Sequence, residues 1–157
     1  MARLPLPLTQ LVHENLSVVM TFAFSRGPLE RLVDEKFEGE WKYLKKFVLD
    51  MSEERAIKAC IELAIYLRAL DDEEQISKWL LENSGRAFGK VTSADGSTER
   101  LTFREVVNKI IHAANFKWDF SAADQPLLIC TPRDKQRWRQ VRIDIVAVAA
   151  LCGQFMS

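Results

Sequence analysis

One stretch constrains the fold of this chain more than any other: Thr102 to His112, Thr-Phe-Arg-Glu-Val-Val-Asn-Lys-Ile-Ile-His. Thr102 and Glu105 have the Thr-x-x-Glu spacing of a capping box, in which side chains satisfy the free N–H groups of a helix start. Phe103, Val106, Val107, Ile110, Ile111 and Ala114 then recur at helical spacing and make one apolar face. Such a helix must lay that face on another element. Arg104, Asn108 and His112, each four residues apart, fall on the opposite side as a polar stripe. A cation, an amide and an imidazole in one line suit a phosphate site or proton transfer. They equally suit a solvated helix face.

The stretches on either side differ in texture. Upstream, residues 1–85 read as a helical bundle. Residues 1–8 form an extended lead-in, because Pro5 and Pro7 exclude a helix interior. A helix capped by Thr9 runs to about Ser25 on Leu11, Val12, Leu16, Val19, Met20 and Ala23. Its apolar excess between Leu16 and Phe24 offers a surface for a second copy of the chain. Arg26-Gly27-Pro28 reads as a stop, with Pro28 opening a short helix to about Gly39. Another helix covers about Glu40 to Asp50, with Lys42, Lys45 and Lys46 on its solvated side. Ser52 caps the next, with Glu53 and Glu54 in its first turn, and it ends near Leu70. An acidic turn, Asp71 to Glu74, leads into a helix buried by Ile76, Trp79 and Leu80 and ended by Asn83-Ser84-Gly85.

Downstream, strand patterns take over. Ala87 to Thr92, Phe116 to Phe120, Pro126 to Thr131 and Trp138 to Ile143 read as strands, and Asp95-Gly96 reads as a hairpin turn. A helix from Pro132 competes with the last of these. An alanine-rich helix, Ile145 to Leu151, closes the chain before Gly153. The fold class is therefore mainly α (α+β): a single domain over residues 1–157, a helical bundle with a small antiparallel β-sheet late in the chain.

Composition narrows the function classes. The 157 residues carry 22 Lys and Arg against 22 Asp and Glu, so no global field draws nucleic acid or an acidic membrane. Binding of either kind needs a local patch. Cys60, Cys130 and Cys152 are too few and too scattered for a disulfide scaffold or structural zinc, and Cys60 and Cys152 sit in apolar runs as small hydrophobes. His13 stands alone in a first helical turn. No phosphate-binding loop, dinucleotide fingerprint, nucleophile elbow or His-Glu-x-x-His occurs, so neither metal nor cofactor is expected. No run approaches ~18 apolar residues, and the N-terminus lacks the pattern of a secretion signal. These features point to the cytoplasm. The one basic concentration is Arg133, Lys135, Arg137, Arg139 and Arg142 with Trp138 among them, a mixture that suits a nucleic-acid backbone and a stacked base.

The stretch Val107-Asn108-Lys109-Ile110-Ile111-His112 resembles a degraded HEPN motif, Arg-(Asn/Asp/His)-x-x-x-His, over six residues. Asn108 matches the polar position and His112 the histidine, while Val107 stands where the family has its arginine. The resemblance implies a bacterial toxin–antitoxin or antiphage setting and a dimeric, metal-independent RNase. There His112 would move the proton, Asn108 would orient the scissile group, and Arg104 or a late arginine would take the phosphate charge. A valine can neither move a proton nor stabilise a phosphate transition state. The leading expectation is thus an interaction module that binds a protein or RNA partner without turnover, with the RNase as the alternative.

Overall fold

The computed structural model describes residues 7–39 and 42–154. Most of the lead-in expected over residues 1–8, and the start of the Glu40 helix with Trp41, lie outside the described residues. The elements in order are α1 (Leu8–Lys36), α2 (Lys42–Lys45), a π-helical turn (Lys46–Asp50), α3 (Met51–Glu74), α4 (Ile76–Asn83), β1 (Gly89–Ser93), β2 (Thr98–Arg100), α5 (Phe103–Ile111), β3 (Asn115–Asp119), β4 (Leu127–Thr131), β5 (Trp138–Asp144) and α6 (Ile145–Gln154). The strands form one antiparallel sheet in the order β2-β1-β5-β4-β3. The late sheet inferred from alternation is present, and residues 138–144 are strand, not helix.

The helices cover one face of that sheet. Val91, Leu128, Cys130, Val141 and Ile143 point into a shared core with Val12, Val19, Leu63, Leu67, Val106, Val107 and Val148. Strand residues alternate between faces. The other face therefore carries Lys90, Thr92, Lys117, Ile129, Gln140 and Arg142, and no described helix packs on it. His13, on α1, bonds the Cys152 carbonyl of α6 at 2.9 Å, which gives this histidine a structural role.

Four helix boundaries differ from the sequence reading. The Arg26-Gly27-Pro28 stop does not stop α1, which continues to Lys36 with Pro28 inside it. Pro28 has no N–H for the Phe24 carbonyl, but both residues are exposed, so water can satisfy that oxygen. Gly27 has no Cβ to clash with the proline ring. Beyond the break, Val33 is buried, and Arg26 ties this region to the Leu49 carbonyl at 3.2 Å. Pro7, not Thr9, is the N-cap of α1.

Ser52 does not start a helix either. Its hydroxyl donates back to the carbonyls of Val48 and Leu49, within a helical run continuous from Lys42 to Glu74. This back-bonding falls at the π-helical turn, where the i to i−4 ladder is interrupted. The acidic turn expected at Asp71 to Glu74 is the last turn of α3. Gln75, at φ +53°, is the residue that breaks the chain direction.

One glycine sets the register of the sheet. Gly89 has φ +142° and pairs with Ile143, and a Cβ there would lie 2.0 Å from the Arg142 carbonyl oxygen. Its flanks bond on both sides, Phe88 N–H to the Leu101 carbonyl at 3.0 Å and Asp144 N–H to the Phe88 carbonyl at 2.9 Å. Gly89→Ala should therefore destabilise the protein by about 2–4 kcal/mol, from backbone strain plus overlap. Urea unfolding measures it, and a loss under about 0.5 kcal/mol would show that β1 can shift away.

Candidate nucleic-acid interface

The polar stripe of α5 does not assemble as the spacing suggested. The capping box forms: Glu105 Oε2 accepts the Thr102 N–H at 2.8 Å, and Phe103, Val106, Val107 and Ile110 are buried. Arg104, however, turns to the end of α3. Its guanidinium bonds Asp71 Oδ2 and Asp72 Oδ1, each at 2.8 Å. Asn108 is half-buried, with its side-chain oxygen enclosed and unbonded. His112 is the C-cap, outside the helix and exposed. Among the described residues no side-chain hydrogen bond or ion pair joins any two of Arg104, Asn108 and His112; only the His112 backbone N–H reaches the Asn108 carbonyl, at 3.0 Å. Val107 is fully enclosed in the core.

Asp71 explains where Arg104 goes. It is the one buried charged residue among those described. Its two oxygens take the Ser77 N–H and Ser77 hydroxyl, each at 2.6 Å, which starts α4. Burial alone raises a carboxyl pKa. Here the Ser77 bonds and the Arg104 guanidinium outweigh that effect and hold Asp71 below the usual carboxylate range.

The basic segment divides into four parts. Arg133, Lys135 and Arg137 are exposed on the β4–β5 loop, with no ion-pair partner among the described residues. Trp138 is 9% exposed, on the core side, and Lys109 lies over its ring at 4.4 Å. A base could stack on this indole only by displacing Lys109. Arg139 is the extra residue where the β1–β5 register shifts; it stays exposed, and its charge helps to hold Asp95 below its usual pKa after the larger effect of the Ser97 bonds. Arg142 lies on the open sheet face and pairs with Asp119 of β3.

The register supplies cations that the linear sequence hid. Arg100 pairs with Lys90, Lys90 with Arg142, Arg142 with Ile129, and Ile129 with Lys117. Directly paired residues share a face, so one row crosses all five strands as Arg-Lys-Arg-Ile-Lys. With neighbouring strands about 4.8 Å apart, the row is about 19 Å long. The row on one side holds Thr92 and Gln140, which are neutral, and the row on the other holds Asp119 and Asp144 about Leu127. Residues 86–157 contain 11 Lys and Arg against 7 Asp and Glu, so this part is positive within a balanced chain. His112 comes to the same end of the sheet as the basic loop, because the Ala114 N–H bonds the Thr131 carbonyl at 2.9 Å where β4 ends.

Other chemistry finds little support. Burial pushes the thiols of Cys130 and Cys152 up to about 12 and raises that of Cys60 too, so none is a ready nucleophile. Among the described residues no three His, Cys, Asp or Glu side chains come together as a metal site, and no helix is long and apolar enough to cross a membrane. Compared with protein-family models, curated proteins and solved structures, the chain matches none.

Two outcomes follow for the Asp71 knot. Arg104→Ala leaves a buried carboxylate with only its Ser77 bonds and should cost about 2–3 kcal/mol in chemical denaturation. The depressed Asp71 pKa contributes stability above the unfolded value of about 3.9, and that contribution disappears as pH falls through the lower folded value. Asp71→Asn should therefore flatten the stability profile below about pH 4. An unchanged acid slope would rule out Asp71 as its source.

Proposed function

We propose that this chain is a binding module that holds RNA by its phosphates and does not cleave it. The observation that carries the reading is the Arg100–Lys90–Arg142–Lys117 row on an uncovered sheet face, close in sequence and space to the basic β4–β5 loop. That face displays no Phe, Tyr or Trp on its paired rows, so contacts would run to the backbone and read little sequence. A row across the strands favours a polyanion lying perpendicular to them. The HEPN resemblance supplies the RNA side of the reading. Val107 in the core and Arg104 bound to Asp71 supply the lack of turnover.

A second reading has one observation in its favour. His112 is exposed at the same end of the sheet as Arg133, Lys135 and Arg137, which is where a metal-independent RNase would want an imidazole beside phosphate-binding cations.

One experiment separates the two. Purified protein is incubated with labelled single-stranded RNA and EDTA, and both binding and cleavage are followed across a salt series. The expected outcome is intact RNA bound with an affinity that falls steeply with salt. Lys90→Ala and Lys117→Ala should each reduce the slope of log K against log salt by about 0.7. His112→Ala should leave binding within about twofold. Cleavage that disappears in His112→Ala would establish the RNase instead. No binding at low salt would turn the search to an acidic protein partner.

A further inference from the structure

The neutral row beside the cations has a chemistry of its own. Thr98 of β2 pairs with Thr92 of β1, and Thr92 pairs with Gln140 of β5. Thr131 and Asn115 pair with each other and lie two residues from Ile129 and Lys117, so they continue the same row to the far edge of the sheet. Each member is a hydroxyl or an amide. Among the described residues none of these five side chains has a hydrogen-bond partner.

Cations flank this row on both sides. On one side runs the Arg100–Lys90–Arg142–Lys117 row. On the other, β4 leaves the sheet into the loop of Arg133, Lys135 and Arg137. Asp134 in that loop accepts the Gln136 N–H at 3.0 Å, and the loop remains net positive. Four residues separate Ile129 from Arg133, so the two positive lines stand about 13 Å apart at roughly 3.4 Å per residue. Asp119 and Asp144 bound the positive area at the end away from the loop.

We infer that the ligand of this face is double-stranded RNA, lying with its minor groove against the sheet. The inference rests on the phosphate-binding reading above and narrows it. The two positive lines take phosphates of the two strands, and the hydroxyl and amide row between them meets the ribose 2′-hydroxyls. An A-form duplex has a wide, shallow minor groove that displays those hydroxyls, and a flat sheet can reach them. B-form DNA has a minor groove only about 6 Å wide, roughly half the separation of the positive lines, and a major groove about 8.5 Å deep, whose floor a flat sheet does not reach. DNA also lacks the hydroxyl. Single strands are held by bases stacked on aromatic rings, and the paired rows of this face carry none.

Fluorescence anisotropy on the full chain tests the inference with three probes of one sequence, about 16 base pairs or nucleotides long: duplex RNA, duplex DNA and single-stranded RNA. Duplex RNA should bind at least about tenfold more tightly than either of the others. The double variant Thr92→Val/Thr131→Val keeps side-chain shape and strand preference and removes only the hydroxyls. It should weaken duplex RNA about fivefold and leave duplex DNA within about twofold. Replacing Arg133, Lys135 and Arg137 together by alanine should weaken all three probes alike. Phe47→Ser, in the bare stripe of Tyr43, Phe47 and Met51 on the helical side of the molecule, should change none of the affinities. A loss there would place the RNA on the helices and overturn the inference. Duplex DNA or single-stranded RNA bound as tightly as duplex RNA overturns it too, while leaving the phosphate-binding reading in place. So does a threonine double variant that keeps the full preference for RNA. No binding of any probe removes that reading and this inference together.

Discussion

The contact on which the helical layer depends is the carboxylate of Asp71. It sits at the end of α3 and is closed off from solvent, yet it is fully used: Ser77 takes both oxygens from the side of α4, and Arg104 reaches across from α5. Three helices are thereby fixed relative to each other by one charged group. A buried carboxylate is tolerable only when such partners replace its water. The same contact decides what Arg104 can do. A guanidinium committed to two aspartates is not available to a phosphate, so the α5 stripe has a structural role at one end and an exposed imidazole at the other.

With the helices gathered on one side, the sheet is left with an open face. Its inner rows are apolar because they meet the helical layer, and its outer rows can be polar because they meet water. What makes the outer face a candidate surface is pairing. Arg100, Lys90, Arg142 and Lys117 are far apart in the chain and come into one row through four strand pairings. Arg142 is tempered by Asp119, while Lys90 and Lys117 have no ion-pair partner among the described residues. A positive sheet face with a basic loop at one end of it lies on one side of the molecule, and a bare helical stripe lies on the other.

Much of the architecture could be read from the residues. The capping box and the apolar spacing after it placed α5, and alternation with Asp95-Gly96 placed four of the five strands and the turn after β1, while the short β2 was missed. These features are local: they depend on neighbours within about four residues, which a sequence displays directly. The helix boundaries upstream were harder. Gly27-Pro28 and Ser52 carry the usual signs of breaks and caps, but the chain around them is held by distant partners. Arg26 bonds Leu49, and the helix passes through the sites where propensity alone would end it.

The sequence by itself determined the α+β class, the identity of most core positions and the presence of a basic segment near the C-terminal end. Only the tertiary structure decided how the charges are used. It enclosed Trp138 beneath Lys109, bound Arg104 to Asp71, put Val107 in the core, and set Arg100, Lys90 and Lys117 beside Arg142 on one face. The physical reason is that periodicity along a chain reports which side of an element is apolar. It does not report which element that side will meet, and it is the meeting that fixes whether a charged side chain is buried with a partner or left free in water.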